Sequence, residues 1–446
     1  MSQARPEGTG RAERLAQTRA QDPPDHPVTG MTHTGSMPSV ALDGEPVPKD
    51  GALPDRATAG VGQRPFGVYV HVPFCVTRCG YCDFNTYTAS ELRSRGGDAT
   101  VSRETYAGLA AAEVRFARRV LGTADIPVST VFVGGGTPTL LSPADLGQIL
   151  AAIDAEFGLE PGAEVTTEAN PETVDRDSLL RLRDAGFTRI SFGMQSSRQH
   201  VLRVLDRTHT PGRPEACAAW ARDAGFEHVN LDLIYGTPGE SDADWEDSLR
   251  AAIDAEPDHI SAYSLIVEDG TRLAARVRRG ELDPPDDDTM ADRYLMADDA
   301  LTAAGFHAYE VSNWARGETA RSRHNRLYWT GGDWWGVGPG AHSHIGGTRW
   351  WNIKHPAAYA ARIADGISPG QAREVLSEAD RRFERILLEL RLAEGCPLEL
   401  LDGAGRRAAA RAVADGLLES GPHADGRAVL TRRGRLLADA VVRDLT

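Results

Sequence analysis

From Phe66 onward the chain alternates between two textures. Short runs rich in β-branched and aromatic residues, at 67–72, 130–133, 164–168, 189–192, 228–233 and 259–264, predict strands. The longer runs at 103–121, 143–157, 177–185, 198–224, 242–255 and 288–304 repeat apolar residues at helical spacing and predict amphipathic helices. A strand that pairs in parallel with its predecessor needs a crossover between them, usually a helix. Six such units predict an α/β fold, an incomplete TIM-type (β/α)6 barrel over 63–305.

The texture differs on either side. Residues 1–62 are rich in Pro, Gly, Asp, Thr and Arg. They hold too few large apolar side chains to offset ordering entropy, so this N-terminal extension is expected to be disordered. Met31 and Met37 lie within it as alternative translation starts. Residues 306–372 read as a connecting segment dense in Trp, Tyr, His and Gly. Residues 373–446 read as a helix ending at Leu392-Ala393-Glu394-Gly395, a helix at 406–418, a strand at 427–431 and a last helix at 432–445. That order suggests a smaller, mostly helical, winged-helix-like C-terminal domain.

Composition narrows the function. The chain has 446 residues, 41% hydrophobic and 25% charged, with a net charge of −15. No basic block or aromatic-basic stripe offers a footprint for nucleic acid. No apolar run reaches the roughly 18 residues that span a bilayer. The first residues lack the apolar core of a secretory signal, so the expected location is the cytoplasm.

The chemistry is concentrated in the cysteines. Three of the five, Cys75, Cys79 and Cys82, fall in one C-x3-C-x2-C run; Cys217 and Cys396 stand far apart and read as buried apolar residues. Three thiolates suit a 4Fe–4S cluster with one iron left for a non-protein ligand. A structural zinc site wants four ligands, and no second pair is visible. Three close cysteines cannot all pair as disulfides, and nothing suggests an oxidising compartment. The triad resembles that of radical S-adenosylmethionine (SAM) proteins, in which SAM occupies the fourth iron.

Further candidates sit just after the strands, where parallel barrels collect functional groups. The cysteines follow the first strand, and Gly134-Gly135-Gly136-Thr137 follows the second. Glu168 ends the third, Gln195 the fourth and Asp232 the fifth; Ile266 follows the sixth. A glycine run lets a ligand approach the backbone closely. Glu168 and Asp232 offer carboxylates to an ammonium or to ribose hydroxyls, and Arg207 can meet a carboxylate bidentately.

From Gly67 to the C-terminus these residues resemble the oxygen-independent coproporphyrinogen III oxidase family. The resemblance rests on Tyr69-Val70-His71-Val72-Pro73-Phe74-Cys75, the cysteine triad, the Gly134–Thr139 loop and Leu233-Ile234-Tyr235-Gly236. It implies a radical SAM barrel with a smaller C-terminal domain, and Cys75, Cys79 and Cys82 as the cluster ligands. It also implies that Tyr69, Gly135 and Glu168 line the cluster-bound SAM. Tyr81, Gly136, Thr137, Gln195, Arg207, Asp232, Ile266 and His342 match positions near a first or a second SAM.

Two departures separate this chain from the oxidases of that family. Their triad continues to a fourth cysteine two residues on, where this chain has Phe84. The string His324-Asn325-Arg326-Leu327-Tyr328-Trp329 is similar to the H-N-x-x-Y-W signature of the family's haem-chaperone branch. A neutral histidine is a common axial ligand of haem iron. Taken alone, the same string reads more readily as a hydrogen-bonded histidine and two core aromatics, since buried aromatics are mostly packing. The resemblance implies haem held by His324, Tyr328 and Trp329, with His342 and His344 as other candidate ligands. The function implied is binding haem and delivering it to a membrane-associated acceptor protein. The competing readings are coproporphyrinogen III oxidation and a radical SAM reaction on another substrate. Phe84 and the H-N-x-x-Y-W string both weigh against the oxidase.

Overall fold

In the six βα units, alternate strand residues are buried aliphatics: Val68, Val70 and Val72, then Val131 and Val133. They stack against amphipathic helices that bury one stripe each. In Pro143–Phe157 the buried positions are Leu146, Ile149, Leu150, Ile153 and Phe157, the helical repeat. Ser142 and Asp145 close a capping box at its start.

A computed structural model describes residues 44–94 and 101–446. The strands of its main sheet are β1 (Glu45–Pro46), β2 (Phe66–Val72), β3 (Val128–Gly135), β4 (Leu159–Ala169), β5 (Arg189–Gln195), β6 (His228–Tyr235), β7 (His259–Ser264), β8 (His307–Ala308), β9 (Asn313–Ala315), β10 (Asp333–Val337), β11 (His342–Ile345), β12 (Thr348–Asn352) and β13 (Gly370–Val375). They form one thirteen-stranded sheet in the order β1-β13-β12-β11-β10-β2-β3-β4-β5-β6-β7-β9-β8. The six expected strands are present, adjacent and parallel in chain order.

The parallel run does not stop at six. β10 pairs in parallel with β2, Trp335 opposite Val68, and β11, β12 and β13 continue the sheet as an antiparallel meander. On the far edge β9 runs antiparallel to β7. The segment read as connecting therefore covers both open edges of the parallel run, which would otherwise expose unpaired backbone. Aromatic- and glycine-rich stretches such as Asp333–Val337 lack the alternation that marks a strand in sequence.

The stretch before the barrel needs a similar correction. Residues 1–43 lie outside the described residues, but 44–62 are packed. Glu45 and Pro46 pair with Arg373 and Ala372, and Ala57 is fully buried. A few apolar groups, Val47, Leu53 and Val61, lie against the main core. Backbone pairing supplies the rest, and composition does not report it.

The run expected as one helix at 198–224 is two, Gln199–Val204 and Arg213–Asp223. Asp206 has φ 54°, a left-handed turn that breaks the helix, and Gly212 at φ 77° starts the next. The break puts Arg207 in a loop. At the C-terminus, Glu378–Glu389, Gly403–Ala414 and Ala438–Leu445 pack around a separate apolar cluster that includes Leu390, Cys396, Leu418 and Leu445. Cys396–Pro397 pairs with Arg427–Ala428 there, so the expected strand is shorter and the expected last helix is split at Leu437.

One face of the parallel strands is not an apolar core. Tyr69, His71, Thr130, Glu164, Glu168, Arg189, Ser191, Asn230, Asp232 and His259 alternate with the buried aliphatics. A face this polar has to be satisfied by internal hydrogen bonds or by ligands.

Candidate functional site

A cavity of about 770 Å³ opens at the C-terminal ends of the strands. Cys75, Cys79, Cys82, Tyr81, Phe84, Gly135, Gly136, Thr137, Glu168, Gln195, Arg207 and Asp232 all line it. Twelve side chains or glycines from strand ends and loops thus meet in one place.

The glycine loop shows why glycine is needed. Gly136 donates its N–H to Val72 O at 2.8 Å, and a Cβ on it would stand 2.4 Å from Phe74 O. Gly135 adopts φ 109° and donates its N–H to Glu168 Oε2 at 3.0 Å. Glycine alone takes such a position without strain. The cysteine loop is held from the opposite side, where Gly80 donates to Leu205 O at 3.1 Å and accepts from Leu273 N at 2.8 Å.

Burial controls the charges. Burial first, then the neighbouring Asp232, pushes the Glu168 carboxyl up to about 8. Asp232 is also raised by burial, although Ser191 and Asn230 hydrogen bonds oppose the shift. Burial pushes the Cys82 thiol up to about 12 and raises Cys75. Arg207 is the cation among them, with Nη2 donating to Gly193 O at 2.8 Å and Nη1 to Cys79 Sγ at 3.6 Å. Three non-glycine residues have positive φ among the described residues, and two of them, Gln195 and Asp206, line this cavity. Strain of that kind concentrates at functional sites.

His209 was missed from the sequence. It lines the same cavity, its Nδ1 is buried without a partner, and burial then Arg207 lowers it to about 4. Its only signal was the spacing Arg207-Thr208-His209. His71 was also passed over. Its Nδ1 accepts from the Tyr69 hydroxyl at 3.0 Å, and its Nε2–H donates to Asn85 O at 2.9 Å, which braces the strand against the cysteine loop.

The remaining expected residues lie outside the cavity lining. Tyr69 is half-buried behind it, and Ile266 is 37% exposed. The helix Arg323–Trp329 sits against the first residues of β2 and β3, at the end opposite the cysteines, where His324 adjoins Gly67. His324 is buried, with Nδ1 2.9 Å from Thr130 Oγ1 and Nε2 2.7 Å from the Tyr328 hydroxyl. Its ring stacks on Phe132 at 5.2 Å, and burial lowers it to about 3, so it is neutral. Both nitrogens are therefore engaged. Trp329 is half-buried. His344 is engaged as well, to Gly332 O at 2.9 Å and from Gly347 N at 3.2 Å. His342 stacks on Trp351 at 5.9 Å, and its ring nitrogens form no hydrogen bond among the described residues.

The cysteines fit a cluster better than a single ion. None is disulfide-bonded, and the three face one cavity. No three His, Cys, Asp or Glu side chains among the described residues are gathered as one ion would require.

Residues 69–252 match the Radical SAM superfamily. A Mycobacterium tuberculosis protein named heme chaperone HemW is 54% identical over 383 residues, covering 86% of this chain and 95% of that one. The chain belongs to the HemW family. A Bacillus subtilis HemW is 33% identical over 73% of this chain and 83% of its own length. Among solved structures, the radical SAM enzyme coproporphyrinogen III oxidase (HemN) from Escherichia coli superposes with a TM-score of 0.73 at 24% identity, covering 87% of this chain and 92% of that one. That likeness establishes the radical SAM fold shared by HemN and this HemW-family chain. Phe84 stands in the wall of the cavity.

Proposed function

We propose that this protein is a haem chaperone, which binds haem and passes it to an acceptor protein from a radical SAM scaffold. The observation that carries this reading is the 54% identical match to HemW across 95% of the M. tuberculosis protein, beside the H-N-x-x-Y-W string at 324–329 of this chain. Cys75, Cys79 and Cys82 would hold a 4Fe–4S cluster, which supplies one-electron chemistry when bound. Gly135, Gly136 and Thr137 would lie against the methionyl end of SAM, with Glu168 on its ammonium and Asp232 and Gln195 on its hydroxyls. Arg207 and Tyr81 would close the wall beside the cluster. Tyr69, Ile266 and His342 would act from just outside the cavity lining. His324, Tyr328 and Trp329 would form the haem site. Because both nitrogens of His324 are engaged, direct ligation by it requires the helix Arg323–Trp329 to move. The place of action is the cytoplasm, with delivery to a membrane-associated acceptor; no described helix is long and apolar enough to cross a membrane.

The oxidase reading draws on the HemN fold alone. One preparation separates the two. With its cluster reconstituted, the protein should develop a Soret band on mixing with haem and convert no coproporphyrinogen III in the presence of SAM and reductant. Conversion without haem binding would reverse the assignment.

A further inference from the structure

A buried line of hydrogen bonds runs from the cavity to the helix that carries His324. The backbone N–H of Ser322 donates to the Tyr309 hydroxyl at 3.2 Å. The Tyr309 hydroxyl stands 2.7 Å from His259 Nε2, and His259 Nδ1 stands 2.6 Å from Asn230 Oδ1. Asn230 Nδ2 donates to Asp232 Oδ1 at 2.8 Å and to Ser191 Oγ at 2.6 Å. The Ser191 hydroxyl donates to Asp232 Oδ2 at 2.7 Å.

Chemistry sets the direction of the whole line. A backbone N–H only donates, and the two Asp232 oxygens accept from Asn230 Nδ2 and from Ser191 Oγ. Asn230 must therefore turn its amide nitrogen toward Asp232 and its oxygen toward His259. His259 then carries its proton on Nδ1, and its Nε2 accepts from Tyr309. Every donor points toward the cavity, the arrangement in which successive hydrogen bonds strengthen one another. Asn230, His259, Tyr309 and Ser322 are all buried, so water does not replace a lost link.

The far end of the line is a helix cap. Ser322 caps Arg323–Trp329, its Oγ accepting from Asn325 N at 3.3 Å. The next two N–H groups, of Arg323 and His324, go to Glu164 at 3.1 and 3.0 Å. Glu164 lies 3.8 Å from Arg189, which also donates to Ala320 O at 2.8 Å. The start of the helix is thus gripped by side chains from the strands that end in the cavity. At the near end, both oxygens of Asp232 are already occupied, and Asp232 lines the cavity.

We propose that Asn230, His259 and Tyr309 are positioning residues that couple the cavity at Asp232 to the cap of helix Arg323–Trp329, so that SAM binding loosens the helix and exposes His324 to haem. This rests on the functional reading above. A ligand that brings hydroxyl or ammonium donors to Asp232 competes with Asn230 and Ser191 for its oxygens. The line slackens from that end, and the Ser322 cap loses its partner at the other. Linkage then requires reciprocity: SAM changes haem affinity by the same factor as haem changes SAM affinity.

The test uses the full chain with its cluster reconstituted anaerobically. Haem is titrated by its Soret band with and without saturating SAM, and SAM by equilibrium dialysis with and without haem. In the wild type, SAM should tighten haem binding about fivefold or more, within the usual range of such couplings. Tyr309→Phe deletes one oxygen, and His259→Leu cuts the line midway; neither residue lines the cavity or belongs to the H-N-x-x-Y-W helix. Both variants should still bind each ligand singly, yet their ratio should fall toward one. A merely structural role would weaken both affinities and leave the ratio alone. A wild-type ratio of one, or an unchanged ratio in a variant that unfolds as cooperatively as the wild type, overturns the coupling. Failure of the wild type to bind haem overturns the functional reading, and the coupling with it.

Discussion

Arg207 donates from Nη1 to Cys79 Sγ across 3.6 Å, bridging 128 residues of sequence. Among the described residues that line the cavity it is the one arginine or lysine, sharing the space with Glu168, Asp232 and the three thiols. Its position depends on the helix break at Asp206, and removing its charge has a definite sign. With Arg207→Gln, the reduced, more negative cluster loses its stabilising neighbour, so the midpoint potential should fall by tens of millivolts; about 59 mV is a tenfold change for a one-electron couple. Redox titration followed by electron paramagnetic resonance reads this directly. An unchanged or raised potential would show that the cation does not act on the cluster.

The cysteines divide into two groups. Ala at Cys75, Cys79 or Cys82 should abolish the broad absorption near 400 nm and the content of about four irons expected of a three-thiolate cluster. Cys217 and Cys396 are fully buried in apolar surroundings. Ala at either should cost about 1 kcal/mol of stability and leave the iron content intact. Loss of iron in Cys396→Ala would contradict the ligand assignment.

Gly136→Ala tests the close approach of two loops. The added Cβ meets a carbonyl oxygen at 2.4 Å and Cys75 Sγ at 3.0 Å, neither at the end of a flexible side chain. The cysteine loop must shift, so cluster loading and SAM affinity should fall by tenfold or more while the melting temperature drops only a few degrees. Full cluster loading in this variant would mean that the loop has room to yield.

The Glu168 carboxyl, pushed up to about 8, implies a pH dependence. Its folded value exceeds its unfolded one, so between about pH 4.3 and 8 the folded state holds a proton that the unfolded state has released. The corresponding stability is present at low pH and is lost as pH rises toward 8. Glu113, Glu240 and Glu310, each pushed up to about 7 by burial, contribute in the same sense. The difference between wild type and Glu168→Gln isolates one group: the variant's stability should fall less steeply over this range. SAM, whose ammonium wants the carboxylate, should bind up to about tenfold more tightly for each unit the pH rises toward 8. Calorimetry at several pH values checks this, and a flat wild-type profile would refute it.

His324→Ala should have two separable effects. It strips partners from Thr130 and Tyr328 and leaves a cavity beside Phe132, at a cost of about 2–4 kcal/mol. If His324 also ligates haem iron after the helix moves, the Soret band should shift or disappear while the cluster absorption persists. His342→Ala is the matched comparison, since its nitrogens are not engaged by the described residues. A Soret band lost in His342→Ala and kept in His324→Ala would transfer the ligand to β11.

The parallel strands were legible because each is a short apolar run followed by a helical repeat. Their C-terminal ends could therefore be located from sequence, and with them the residues that line the cavity. The sequence singles out Arg207 but runs a helix through it, because the left-handed turn at Asp206 leaves the apolar repeat on either side uninterrupted in appearance. β10 to β13 were illegible for a different reason. Their residues pack with neighbours far away in sequence, as when Trp334 pairs with Gly67 on one side and His344 on the other.

By itself the sequence determined which groups exist and their local order: three cysteines within eight residues, glycines at the end of β3, a carboxylate at the end of β4, a histidine four residues before a tyrosine. Those facts are covalent and survive in any fold. The tertiary structure alone decided which of these groups face a common space and what each is bonded to. Thr130 and Tyr328 take up the nitrogens of His324, burial keeps a proton on Glu168, and His259 stands between Tyr309 and Asn230. Such properties come from burial and from contacts between residues tens to hundreds of positions apart, which no local pattern along the chain encodes.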